Sequence, residues 1–227
     1  MPAEAQTPGA SSDASGEQTA PRLFIKICGI TSLEDGLAAA EAGADAVGFV
    51  FWPGSPRRID ARRARAIGAK LPPSIVRVGV FVDAGHERLA RTADAAGLDL
   101  LQLHGSEGPE AFATLPRRAW KALRIGDDFA PETALRYEGR AAGVLFDGYS
   151  PRAPGGTGRV FDWRRARALR AQLRFVMLAG GLTPGNVAEA VRLAAPDGVD
   201  VSSGVERSPG RKDPSRMRDF VAAARQA

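Results

Sequence analysis

From Leu23 onward, short apolar runs alternate with longer stretches in which apolar residues recur every three or four positions. The runs are 23–27 (LFIKI), 46–51 (AVGFVF), 76–82 (VRVGVFV), 98–103 (LDLLQL), 119–123 (AWKAL), 143–147 (GVLFD), 175–179 (FVMLA) and 199–202 (VDVS). Their length and composition predict strands. Near-continuous apolar character, without polar alternation, marks strands buried on both faces. The intervening stretches, rich in Ala, Arg, Leu and Glu, predict helices over about 33–42, 60–70, 87–96, 108–117, 131–138, 162–172, 185–194 and 213–225. Strands alternating with helices imply parallel βαβ units. Eight such units ending on a helix predict a closed (β/α)₈ TIM barrel forming a single domain. An open dinucleotide-binding sheet would carry a glycine fingerprint after its first strand. Here Cys28-Gly29-Ile30-Thr31 stands instead.

The rhythm is absent from residues 1–21, which are rich in Ala, Ser, Gly, Glu, Gln and Pro. That composition predicts a disordered tail, leaving 22–227 as the catalytic domain. The tail lacks the basic and apolar regions of a signal peptide, and no apolar run elsewhere reaches membrane-spanning length. A single cysteine excludes an internal disulfide and a cysteine metal cluster, and fits a cytoplasmic location. The net charge is +5, and 27 of the 31 basic residues are Arg. Nucleic-acid binding is the alternative that such a charge raises. The arginines are scattered along the predicted helices and do not alternate with aromatics, so solvated helix faces account for them. A positive balance also favours an anionic small substrate.

In a barrel of this kind the site is built on the loops after the C-terminal strand ends. Polar and glycine residues gather there. Cys28 ends the first strand, followed by Thr31-Ser32-Leu33-Glu34, read as a capping box. The second strand is followed by Trp52-Pro53-Gly54-Ser55-Pro56-Arg57-Arg58. A guanidinium on that proline-stiffened loop suits bidentate capture of a carboxylate, with Arg57 the candidate and Arg58 a surface residue. Asp83 is read as a helix cap. His104 at the end of strand four is open to a catalytic or a structural reading. Asp147 ends an apolar run, where a low-dielectric wall favours a protonated carboxyl suited to a general acid. Three glycine-bearing loops follow strands six to eight: Gly155-Gly156, Gly180-Gly181 and Ser203-Gly204. They permit close backbone approach to a phosphate, and Thr183-Pro184 reads as a helix cap and first-turn proline. A lone thiol such as Cys28 is, taken alone, more often a buried hydrophobe than a nucleophile or base. Its place on the catalytic face changes that.

These strings, with Gly43-Ala44-Asp45-Ala46-Val47-Gly48-Phe49-Val50-Phe51, Ser55-Pro56-Arg57, Leu101-Gln102-Leu103-His104-Gly105 and Val199-Asp200-Val201-Ser202-Ser203-Gly204-Val205-Glu206, resemble the phosphoribosylanthranilate isomerase family of tryptophan biosynthesis. The resemblance runs in order over about residues 23–225. It implies an Amadori rearrangement of N-(5-phosphoribosyl)anthranilate to 1-(2-carboxyphenylamino)-1-deoxyribulose 5-phosphate, with no metal and no cofactor. It also implies Cys28 as general base, Asp147 as general acid, and Arg57 as the contact for the anthranilate carboxylate. The phosphate falls to the loops of Gly155, Gly156, Gly180, Gly181, Ser203 and Gly204. The related aminoaldose isomerase of histidine biosynthesis is the alternative; that family is expected to carry an aspartate where Cys28 stands. The expected partner is a phosphorylated small molecule, not nucleic acid or membrane. The family's habits allow a monomer or a homodimer.

Overall fold

The computed structural model describes residues 22–126, 129–148 and 163–227. The predicted tail, residues 1–21, and the loop bearing Gly155 and Gly156 lie outside these described residues. Eight parallel strands close on themselves in sequence order: β1 (Phe24–Cys28), β2 (Ala46–Val50), β3 (Val76–Phe81), β4 (Leu100–Leu103), β5 (Ala119–Arg124), β6 (Gly143–Asp147), β7 (Val176–Ala179) and β8 (Gly198–Val201). Closure is set by β1 against β8, where Lys26 pairs with Asp200 and Ile27 with Val201. The helices α1 (Leu33–Glu41), α2 (Ala61–Gly68), α3 (His86–Ala96), α4 (Pro131–Leu135), α5 (Trp163–Arg170), α6 (Val187–Ala194) and α7 (Pro214–Arg225) lie between and after the strands. Among the described residues no helix is long and apolar enough to cross a membrane.

Two separate cores follow from strands with two buried faces. Outward-facing Ile25, Ile27, Phe49, Leu101, Phe146 and Val199 pack against the helices. Inward-facing Ala46, Val78, Trp120, Ala122, Leu145 and Met177 fill the barrel. At the N-terminal end, Phe24, Trp120 and Phe175 close the barrel as an aromatic plug. Trp120 stacks on Phe175 at 5.7 Å between centroids and meets Phe24 edge-on at 5.7 Å. The main cavity among the described residues lies at the other end. Three aspartates that precede strands pin the register of their neighbours. Asp45, Asp99 and Asp197 accept from the backbone N–H groups of Ile25, Arg77 and Val176. Arginines lie on the solvent side: in α2, Arg62, Arg63 and Arg65 are exposed while Ala64, Ile67 and Gly68 are buried.

Four local expectations are corrected. The predicted helix at 108–117 is only a 3₁₀ helix, Pro109–Thr114. Pro116 forces Leu115 into extended backbone, and one or two turns are too short to be a stable α-helix. The cap of α1 is Ser32, whose hydroxyl accepts from the Asp35 N–H, so the cap stands one residue later than read. Thr183 does not cap α6. It opens a turn closed by Asn186, and the helix starts at Val187. After β8 comes a hairpin absent from the predicted elements, β9 (Glu206–Ser208) against β10 (Arg211–Lys212).

Candidate active site

Period-two geometry decides which side chains reach the mouth of the barrel. Residues Cys28, Val50, Val80, Gln102, His104, Asp147, Ala179 and Ser202 all face inward near their strand ends. They line a cavity of about 330 Å³, together with Trp52, Arg57, Arg124, Gly180, Gly181, Asp200 and Ser203. The tertiary structure thus brings Cys28 of β1 and Asp147 of β6 into one chamber, with β7 and β8 between them around the barrel.

Cys28 is 7% exposed, and its room comes from β2. A Cβ added at Gly48 would stand 2.6 Å from the Cys28 sulfur and 3.1 Å from Lys26 Cε. Only glycine leaves space there for both side chains, which lie side by side because they are two residues apart on one strand. Lys26 is fully buried, and its Nζ lies 2.9 Å from Asp200 Oδ1. The distance makes an ion pair, although the ammonium is not aligned as a hydrogen bond. Burial alone would lower the Lys26 ammonium; Asp200 and Cys28 together outweigh it and hold the charge above its ordinary range. Burial pushes the Cys28 thiol up, and Lys26 is the largest charge pulling it back down.

Arg57 lines the cavity, but its fork is engaged. Its Nε donates to Glu206 Oε1 at 2.8 Å and its Nη2 to Glu206 Oε2 at 2.7 Å. The bidentate geometry foreseen for a substrate carboxylate is therefore used internally, to fix the guanidinium at the rim. Glu206 also accepts from Lys212 Nζ at 2.9 Å, and Lys212 donates to the Ser202 carbonyl at 3.1 Å. Both Glu206 and Lys212 are buried. Burial raises Glu206, but the Arg57 hydrogen bonds and Lys212 outweigh it and hold the carboxyl below its ordinary value.

Asp147 stands 3.1 Å from His104 Nε2. Of the two readings of His104, the structure supports a place in the site: its ring stands beside the acid, although Nε2 is not aligned to hydrogen-bond it. Its loop is held from below. Lys121, 1% exposed, donates to the Gly105 carbonyl at 2.6 Å and to Glu107 at 2.8 Å. Asp83 is not the cap of α3, whose N-terminal residue is Gly85 without a side-chain cap. With φ of 47°, Asp83 instead accepts from the Ser106 N–H and hydroxyl, both at 2.7 Å, tying the β3 loop to the β4 loop.

On the far wall, Gly180 and Gly181 have φ of 82° and 68°, the left-handed region that favours glycine. A Cβ on Gly181 would meet nothing within 4 Å, so this backbone faces open space. Asn186 holds the turn, accepting from the Thr183 N–H and donating to the Gly181 carbonyl. Ser203 lines the cavity at the start of a 3₁₀ turn, Ser203–Val205. Gly204 does not line it. Its Cβ position is 1.9 Å from the Leu182 carbonyl oxygen, so its small size lets the β7 and β8 loops pack together.

Residue-by-residue reading missed Lys26, Gln102, Lys121, Asp200, Asn186 and Lys212. One signal for the lysines was present. Only four of the 31 basic residues are Lys, and three of them, Lys26, Lys121 and Lys212, are fully buried. Where all but one of the surface cations are Arg, a lysine within an apolar run marks a place for a compact charge on a flexible stem.

A family model for N-(5'phosphoribosyl)anthranilate (PRA) isomerase matches residues 25–223. The N-(5'-phosphoribosyl)anthranilate isomerase of Geobacter sp. (strain M21) is 52% identical over 202 residues, 88% of this chain and 97% of that protein. The crystal structure of phosphoribosyl anthranilate isomerase from Thermotoga maritima superimposes with a TM-score of 0.85 at 41% identity, covering 90% of this chain and 100% of the other. A phosphoribosyl anthranilate isomerase in complex with reduced 1-(o-carboxyphenylamino)-1-deoxyribulose 5-phosphate gives 0.81 at 39% identity, with the same coverage. Extended similarity of this order, over a barrel of the same topology, means that the chain belongs to the N-(5'-phosphoribosyl)anthranilate isomerase family.

Proposed function

We propose that the chain catalyses the Amadori rearrangement of N-(5-phosphoribosyl)anthranilate, with Cys28 as general base and Asp147 as general acid. The observation that carries these roles is that the two side chains line one cavity between Arg57 at the rim and the Gly180-Gly181 and Ser203 backbone opposite. Asp147, in its carboxylic form, gives its proton to the furanose ring oxygen, and the ring opens to a protonated Schiff base. The Cys28 thiolate then takes the proton from C2′, and the electron pair moves to neutralise the iminium as an enolamine. Tautomerisation gives the aminoketose. One proton is given and one taken, so the reaction is redox-neutral overall. His104 stands beside Asp147, 3.1 Å from its carboxyl. The Gly181 and Ser203 backbone is suited to the substrate phosphate. Arg57, fixed by Glu206, presents its remaining edge to the anthranilate carboxylate.

The test is steady-state turnover of both candidate aminoaldoses. Cys28→Ala and Asp147→Asn are each expected to lower kcat by roughly 10²–10⁴ with the anthranilate substrate. Near-native turnover by either variant removes that residue from its role. Arg57→Ala is expected to act mainly on KM. A preference for the histidine-pathway aminoaldose would overturn the substrate assignment.

A further inference from the structure

A buried thiol is a poor base, because desolvation disfavours its ionised form. What surrounds Cys28 is therefore decisive. On its own strand stands the Lys26 ammonium, sharing with the sulfur the space that Gly48 leaves open. From β8, Asp200 meets that ammonium at 2.9 Å and fixes it, since the two residues are also register partners. From β10 comes buried Lys212, bonded to Glu206 and to Ser202, whose hydroxyl donates to the Cys28 carbonyl at 3.1 Å. From the β2 loop comes Arg57, bonded to Glu206. Asp35 of α1 accepts from the Lys212 N–H and anchors that hairpin. Asp147 and His104 act on Asp200 from the far side. Lys26 is the cation that adjoins the sulfur directly, and none of the roles assigned above uses it.

We propose that Lys26 is a positioning residue of the site: clamped by Asp200, its ammonium stands beside the Cys28 sulfur and stabilises the thiolate form that accepts the substrate proton. Ionisation of the thiol releases its proton to water through the open cavity. The resulting thiolate pairs with an ammonium already in place, so no group must reorient during the reaction. Asp200 has a double effect. It keeps Lys26 charged and oriented, yet as an anion it also opposes the thiolate. Replacing either residue should thus move the thiol in opposite directions, which a merely structural pair would not do. The inference rests on the general-base role of Cys28 for its catalytic meaning, but not for its measurement.

Cys28 is the only cysteine, so the ultraviolet absorbance of the thiolate reports on it alone. It is titrated in the wild-type chain and in Lys26→Met, Asp200→Asn and the doubly neutral K26M/D200N, each with a C28S counterpart to subtract tyrosine ionisation. Lys26→Met is expected to raise the ionisation midpoint by about one pH unit or more. Asp200→Asn is expected to lower it. The double variant, which leaves no unpaired buried charge and guards against misfolding of the single one, is expected to stay above wild type. An unmoved or lowered midpoint in Lys26→Met or in the double variant overturns the proposal, as does a raised midpoint in Asp200→Asn. In turnover, Lys26→Met should lose about tenfold in kcat for each pH unit by which its midpoint rises, with KM within about twofold. If Cys28→Ala stays active while these midpoints move as expected, the base assignment fails and the Lys26–thiolate coupling stands. If the midpoints do not move and Cys28→Ala is inactive, the converse holds.

Discussion

Gly48→Ala adds one methyl group at the floor of the catalytic chamber. Its Cβ would stand 2.6 Å from the Cys28 sulfur, 3.1 Å from Cys28 Cα and 3.1 Å from Lys26 Cε. Relaxed contacts of such atoms lie at roughly 3.5–4.0 Å. The sulfur must therefore retreat by about 1 Å, and because the second contact is backbone, rotation of the thiol alone does not relieve the clash. The Gly48 carbonyl also accepts from the Gly29 and Ile30 N–H groups, both at 2.9 Å, so moving β2 disturbs the turn that presents Cys28. Displacement of a reacting group by about 1 Å costs on the order of 10² in rate. Overpacking a filled interior costs about 1–3 kcal/mol of stability. For a chain of this size each kcal/mol lowers Tm by about 2–4 °C. Expected, then, are a kcat lower by about 10², a modest change in KM and a Tm lower by several degrees. Steady-state kinetics and a thermal melt on the same preparation measure all three. A variant with kcat within about twofold of native would show that the Cys28 sulfur does not need the place it occupies here, and would refute the reasoning.

Two further glycine substitutions separate packing from ligand contact. Gly204→Ala puts a Cβ 1.9 Å from the Leu182 carbonyl oxygen, against backbone throughout, and should raise KM and lower Tm together. Gly181→Ala has free space but a left-handed φ, with a strain of about 1–2 kcal/mol; it should raise KM with a smaller loss of Tm, and equal melting of the two variants would contradict this division. Glu206 gives a pH prediction. Its carboxyl is held below the ordinary 4.5, so its stabilisation is complete above that value and is lost as pH falls through the lower folded value. Glu206→Gln should destabilise the chain at neutral pH by up to about 3–5 kcal/mol, since it strands buried Lys212, and should flatten the acid limb of the Tm–pH curve. An acid limb as steep as the native one would remove Glu206 as its source.

The barrel was legible because its signals are local. Each strand is an apolar run that neighbouring helices must cover on one side and the barrel interior on the other, so eight runs and eight amphipathic stretches determine the architecture. The boundary errors share a cause. Pro116 stopping a helix at Leu115, or Asn186 closing the turn before α6, depends on one hydrogen bond or one dihedral, which average composition does not register. The hairpin after β8 escaped notice because its strands, Glu206–Ser208 and Arg211–Lys212, are short and polar. It is held by contacts to Arg57 and Asp35, residues far back in the chain.

The sequence by itself determined which face of the barrel carries chemistry, and it singled out Cys28, Arg57, Asp147 and the glycine loops, because position after a strand end is a one-dimensional property. Only the tertiary structure decided how charge is distributed among them. Lys26 meets Asp200 across the closure of the barrel, Arg57 spends its fork on Glu206, and His104 turns to Asp147. A carboxylate separated by well over a hundred residues is invisible to any local pattern, yet at about 3 Å in a buried site it governs whether a neighbouring group is charged. The chain thus names its candidate groups locally, while the charges that surround them come from partners that only folding supplies.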